Sequence, residues 1–245
     1  SSLLDACADE LEVLVSEELE ERDIIRRLRR RIEELFGPHD IHSEVISLDQ
    51  FVTKKIKALE PRFAHRKCTV KTRISEVPAI WIPADVLDKI VEGLVRNAIE
   101  NTPDSGEIIV TVRNGEIGPE MEIRDTGVGI SPENQRLIFE NYFTTYETMQ
   151  YSTGHPYDFG AGGKGFDLLR MRIFSERYHF QLKLSSQRCR LLSEESDSCS
   201  GMIEDCVHSR QPQDCRESGG TTVTVRFYPA ERFSDAKADQ SKASF

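Results

Sequence analysis

Leu94-Val95-Arg96-Asn97-Ala98-Ile99-Glu100-Asn101-Thr102-Pro103 is the stretch on which the fold turns. Pro83-Ala84-Asp85 opens a helix upstream of it, and Leu87, Val91, Leu94 and Ala98 recur in 4-3-4 steps that define its core face. Asn97 sits about 80° from the centre of that face at roughly 100° per residue, at the border of the core. An amide there can offer its oxygen to a hard cation held by phosphates, since Mg²⁺ takes few protein ligands and completes its shell with phosphate and water oxygens. Thr102-Pro103 closes the helix.

Downstream, Ile108 to Val112 and Met121 to Ile123 read as strands, with Asn114-Gly115 as a hairpin turn between them. Asp125-Thr126-Gly127-Val128-Gly129 follows the second strand. Its glycines let a ligand approach the backbone closely, and a carboxylate at a strand end can accept the exocyclic amine of adenine. Pro132 to Phe139 suggests a short helix. Residues 144–163 carry Gly, Ser, Tyr and Pro without periodicity and read as a long functional loop. Gly160-Ala161-Gly162-Gly163-Lys164-Gly165 runs into a helix through Tyr178, whose start offers free N–H groups and a positive dipole end to phosphate oxygens. The segment is not G-x-x-x-x-G-K-[ST], which excludes a P-loop. Phe180, Leu182 and Leu184 alternate as a strand, and Thr222 to Phe227 makes the last one.

Upstream, residues 3–36 read as one helix with Leu4, Leu11, Leu14, Ile25, Leu28, Ile32 and Leu35 in an apolar stripe, stopped by Gly37-Pro38. Ser47 and Gln50 follow a capping-box pattern before Phe51, Val52, Ile56 and Leu59, and strand-like runs follow at Cys68 to Ile74 and Ala79 to Ile82. Helices interspersed with strands in this order predict an α/β (α+β) two-layer sandwich, a mixed sheet covered by helices on one face. The expected organisation is a helical dimerisation or linker segment over 1–38, a domain over 46–229 and a disordered tail over 230–245.

Bulk properties bound the function. The 245 residues, 38% hydrophobic and 30% charged, can bury a sizeable core. A formal charge of −10 argues against nucleic acid or an anionic membrane as main partner. No apolar run approaches the roughly 20 residues of a bilayer span, so a cytoplasmic location without membrane contact is expected for this stretch. The chain begins Ser1-Ser2 with no initiator Met, which suggests a piece of a longer protein whose membrane segment or sensor domain would lie outside this stretch. Cys189, Cys199, Cys206 and Cys215 fall in one polar stretch over 187–218, near His208 and without a C-x-x-C pair. Free thiols in a surface insertion, a metal site and disulfides all remain open there.

Together these motifs resemble the GHKL ATP-binding fold, and within it the catalytic domain of sensor histidine kinases. Leu94 to Pro103 resembles the N box, Asp125 to Gly129 the G1 box, Ile138 to Thr145 the F box, Gly163 to Phe166 the G2 box, and Gly219 to Val225 the final glycine–threonine strand. The resemblance implies ATP and Mg²⁺ as cofactors, with Asn97 on the metal and Asp125 on the adenine amine. Gly127 and Gly129 would shape the adenine pocket, Gly163 and Gly165 would present amides to phosphates, and Thr222 would sit near the adenine. Further nucleotide contacts are implied at Ile130, Tyr142, Phe143, Gly162, Lys164 and Phe166, with residues 144–163 as the lid. Glu100 and Asn101 stand where the family frequently has Lys and Tyr, at a phosphate contact and an adenine-stacking ring.

Gly93 occupies the position four before Asn97, where the ATP-hydrolysing relatives carry a water-activating Glu. The acceptor-His pattern of a dimerisation helix is absent, and His39-Asp40 follows a helix breaker. The implied activity is therefore transfer of the γ-phosphoryl group to a His outside this stretch. A homodimer through the N-terminal helix and a response-regulator receiver domain are the implied partners. A nucleotide-sensing scaffold and a protein serine kinase of the anti-sigma type are the alternatives.

Overall fold

The computed structural model describes residues 42–135, 155–161, 166–192 and 197–233. The chain divides into two units, Ser1–His42 and Ser43–Phe245, and the described residues belong almost wholly to the second. The helix expected over 3–36, the motif Ile138 to Thr145 with Tyr142 and Phe143, the glycines and Lys164 of 162–165, and the tail beyond 233 lie outside the described residues.

The elements run β1 (Glu44–Ile46), α1 (Leu48–Leu59), β2 (Thr69–Ile74), β3 (Ile80–Ile82), α2 (Ala84–Asn101), β4 (Glu107–Asn114), β5 (Pro119–Asp125), α3 (Phe166–Tyr178), β6 (Gln181–Gln187), α4 (Pro212–Arg216) and β7 (Gly220–Arg226). Five strands form a mixed sheet in the order β2-β4-β5-β7-β6. β2 runs parallel to β4 and the other neighbours are antiparallel. β1 and β3 form a separate antiparallel pair.

Alternation along the strands sorts the sheet into a covered and an open face. Ile108, Val110 and Val112 of β4, Met121 and Ile123 of β5, and Val223 and Val225 of β7 are buried in one cluster with Leu48, Val52, Ile56 and Leu59 of α1 and the apolar stripe of α2. The register pairs Ile123 with Val223 and Val223 with Leu184, so these residues share the covered face. The opposite face is polar. There Glu120, though buried, accepts hydrogen bonds from Arg113 Nε at 2.6 Å and Arg226 Nε at 3.1 Å. This one-sided burial is the expected two-layer sandwich.

Two local expectations change. Ser47 is the N-cap of α1, but its hydroxyl donates to Asp49 Oδ1 at 2.8 Å instead of capping a backbone N–H, because the nearer carboxylate takes it. The turn expected at Asn114-Gly115 is a longer loop, Gly115 to Gly118, closed by Gly115 N–H on Gly118 O at 2.8 Å. No helix among the described residues is long and apolar enough to cross a membrane.

Candidate functional site

Three chain segments meet at one edge of the covered face: the C-terminal end of α2, the end of β5 with the loop after it, and the start of β7. Asp125 closes β5 and is 6% exposed. Its Oδ1 accepts two backbone N–H groups, from Gly127 at 2.9 Å and Thr221 at 3.1 Å. Oδ2 accepts none among the described residues. Burial pushes the carboxyl up to about 7, against the lowering effect of the two N–H donors and of Arg124. A carboxylate so held has one oxygen fixed and one to offer.

The glycines of the loop are required by space. A Cβ on Gly127 would stand 2.2 Å from the carbonyl oxygen of Asn101, and one on Gly129 only 1.8 Å from that of Gln187. Gly129 also has φ +63°, where side chains are strained. Val128 N–H donates to Asn101 O at 3.0 Å, which ties the loop to the end of α2. On the other side Ile130 N–H donates to Ser186 Oγ at 2.9 Å. Ser186 Oγ in turn lies 2.8 Å from Thr221 Oγ1 and donates to Gly220 O at 3.0 Å.

The strand register decides which threonine belongs here. Thr222 pairs with Arg124 and Ser185 and so lies on the open face. Thr221 shares the covered face with Asp125, and its own N–H holds the carboxylate. Thr222, the expected adenine-side hydroxyl, and Thr221 thus lie on opposite faces, because a one-residue step along a strand crosses the sheet. The alternation Val223, Val225, Phe227 carried that signal, and extending it backwards reaches Thr221.

Asn97 is half-buried on α2, as expected. Its carbonyl accepts Asn101 Nδ2 at 2.8 Å, while its own side-chain amide makes no hydrogen bond among the described residues. The donor set thus suits Mg²⁺–nucleotide chemistry: a neutral oxygen ligand at the helix, a buried carboxylate and close backbone at the base end.

The side chains of Glu100 and Asn101 have partners within the protein. Asn101 is exposed and folds its amide back on its own helix. Glu100 is 3% exposed, and its Oε1 accepts Tyr157 N–H at 3.1 Å with Arg96 Nε at 3.8 Å. Gly160 N–H also donates to Glu100 O at 2.8 Å. Glu100 thus anchors the chain at 155–161.

A second anchor was not anticipated. Arg66, 5% exposed on its side chain, donates through Nε to Asp104 Oδ1 at 2.8 Å, through Nη1 to Ile99 O at 3.0 Å and Tyr157 O at 2.8 Å, and through Nη2 to Thr102 O at 2.7 Å. Tyr157 itself is buried at φ +74°, its ring 6.1 Å from that of Phe63. His65 Nε2 lies 2.8 Å from Asp158 Oδ1. So the described part of the expected lid, 155–161, is fastened beneath α2. Phe166 opens α3, as expected of a residue after the glycine segment.

The comparisons agree with this geometry. The family described as "Histidine kinase-, DNA gyrase B-, and HSP90-like ATPase" matches residues 83–231. The ArcB homolog of Haemophilus influenzae, an aerobic respiration control sensor protein, is 40% identical over 76 residues, 30% of this chain and 23% of that protein. The histidine protein kinase SaeS of Staphylococcus aureus is 26% identical over 146 residues, 58% of this chain and 39% of that one. The chain thus spans well under half the length of these relatives. In fold it resembles the nucleotide-free catalytic domain of histidine kinase ThkA, at TM-score 0.52 and 15% identity over 77% of this chain and 97% of that one. It also resembles full-length ShkA in complex with AMPPNP, at TM-score 0.53 and 15% identity over 86% of this chain and 40% of that one. With its matched region running from the start of α2 through β7, this chain belongs to the histidine kinase-, DNA gyrase B- and HSP90-like ATPase family.

Proposed function

We propose that this chain is the ATP-binding catalytic domain of a sensor histidine kinase and transfers the γ-phosphoryl group of Mg-ATP to a histidine outside this stretch. The observation that carries the reading is Asp125, buried at a strand end with Oδ1 fixed by two N–H groups and Oδ2 left to accept the adenine amine. Asn97 would ligate Mg²⁺, which supplies charge neutralisation on the phosphates. Gly127 and Gly129 would keep the backbone open to the base, and Ile130 and Thr221 would border it. Gly162, Gly163, Lys164 and Gly165 would face the phosphates, with Tyr142, Phe143 and Phe166 completing the nucleotide contacts. Gly93, in the interior of α2, offers no carboxylate to activate water. The domain contributes positioning and charge stabilisation, and the nucleophile comes from elsewhere. A homodimer through residues 1–38, a receiver-domain partner and a cytoplasmic location complete the proposal.

Labelled ATP added with a cognate acceptor helix should give acid-labile, base-stable phosphohistidine. Acid-stable phosphoserine would instead identify the anti-sigma type. A second reading draws on Glu100: its use as an anchor in place of a phosphate contact suits a domain that senses nucleotide without transferring phosphate. ATP binding with no phosphoprotein in the same assay selects that reading.

A further inference from the structure

The face of the sheet turned away from the helices has no part in the proposed phosphotransfer, and its charges follow the strand register. Arg73, Thr111, Glu122, Thr224 and Lys183 stand in one row across β2-β4-β5-β7-β6. Arg124, Thr222 and Ser185 stand in the next row, on the side of Asp125. Arg73, Arg124 and Lys183 are all exposed. With Lys71, Arg113 and Arg226 they oppose only Glu107, Glu120 and Glu122 on this face. The chain as a whole has the reverse balance, 42 acidic against 32 basic side chains.

The carboxylates of the face are already engaged within it. Glu120 takes Arg113 and Arg226, Glu122 takes Arg113 Nη2 at 3.4 Å, and Glu107 pairs with Lys71. Arg73, Arg124 and Lys183 form no ion pair among the described residues, and the hydroxyls of Thr111, Thr222 and Thr224 have no hydrogen-bond partner there. What the face leaves unengaged is therefore cationic and rich in donors, and its complement is a set of carboxylates. Strands about 4.8 Å apart put Arg73 and Lys183 roughly 19 Å from one another, with Arg124 roughly 12 Å from each. No single small anion spans such a triangle. A polyanion of uniform charge, such as duplex nucleic acid or an anionic bilayer, would press against Glu120 and Glu122 and against a chain of net charge −10. A folded protein carries its carboxylates at separate points and can leave those two acids unopposed.

We propose that the open face of the sheet docks the acidic surface of a partner protein, whose carboxylates stand opposite Arg73, Arg124 and Lys183 while the threonine hydroxyls bond between them. Charge complementarity of this kind sets partner choice and encounter rate. Arg124 and Thr222 each adjoin a residue of the nucleotide site, Asp125 and Thr221, but point to the other side of the sheet. Partner and nucleotide therefore occupy opposite faces and do not compete.

The probe is a synthetic helix of about 20 residues, long enough to cross the sheet, with glutamates along one side. It is titrated into the isotopically labelled full chain without nucleotide, and amide resonances are followed. The expected result is shifts at Arg73, Thr111, Arg124, Thr222 and Lys183, with affinity falling at least about tenfold between about 50 and 300 mM salt. The triple variant Arg73→Glu, Arg124→Glu, Lys183→Glu should bind at least about tenfold more weakly. A lysine-sided helix should shift the same amides in that variant and not in the wild type. If the triple variant fails to fold, Arg124→Gln with Lys183→Gln takes its place and should weaken binding at least about threefold. Affinity unchanged in these variants, or shifts confined to the basic run Arg26 to Arg31, overturns the proposal. So does duplex DNA or a phosphatidylserine vesicle that moves the face amides at lower concentration than the helix. Nucleotide enters none of these measurements, so their failure leaves the kinase reading standing.

Discussion

Asp125 carries a charge requirement that solution pH can read. Its carboxyl is raised by burial to about 7, whereas an unfolded aspartate titrates near 4. Between about pH 4 and pH 7 the nucleotide-free native state therefore binds more protons than the unfolded state, and this group's contribution to stability falls as pH rises through that window. Accepting an amine proton needs the ionised form, so nucleotide affinity runs the other way. Calorimetry at saturating magnesium should find ATP binding about tenfold weaker at about pH 6 than at about pH 8. Asp125→Asn should abolish binding altogether, and unchanged binding in that variant would remove the basis of the functional reading. Gly129→Ala tests the loop itself. With φ +63° and a carbonyl oxygen in the place of the new methyl, it should lower stability by at least about 2 kcal/mol in chemical denaturation.

At the scale of elements, α2 is secured at its C-terminal end by a guanidinium from the segment between α1 and β2. Arg66→Met would leave Asp104 and the carbonyls of Ile99, Thr102 and Tyr157 without their donor. The expected loss is about 3 kcal/mol, or roughly 6–12 °C in Tm. Hydrogen exchange should rise first in residues 155–161 and 99–104. A uniform rise across the sheet would mean that Arg66 does not act locally. This clamp was not legible in the sequence, because bonds to distant backbone carbonyls leave no pattern in side-chain types. The helix and strand that carry Asn97 and Asp125 were legible, since periodicity and strand-end glycines are local. Thr221 stands between these cases: the period-2 alternation of β7 is visible in the sequence, but the strand begins at Gly220, two residues before the expected Thr222. Glu100 shows the opposite limit. Its departure from lysine could be seen, whereas its new bond to Tyr157 N–H depended on a loop whose path no local rule dictates.

For the whole molecule, the one-sided sheet explains why order and spacing of short motifs outweighed each motif alone. N-box helix, G1 loop and last strand are far apart in sequence but adjacent at one end of the central strands, through the antiparallel pairing of β5 with β7 and the packing of α2 over β5. The same architecture supplies no group at Gly93 for hydrolysis, so the chain by itself should turn over ATP negligibly while still binding it. Robust steady-state phosphate release that vanishes in Asp125→Asn would contradict the phosphotransfer assignment. The overall charge of −10 sets a further expectation. Association with an acidic partner surface should need locally basic patches, whose attraction strengthens as salt is lowered.

The hairpin formed by β6 and β7 closes at the pair Gln187 and Gly220, so everything from residue 188 to residue 219 leaves and returns at one point of the sheet. Such a doorway accepts cargo of any length without disturbing strand register. Shortening the excursion would therefore leave the strand register standing and remove only the struts it sends to Val128, Asp104 and Ser105.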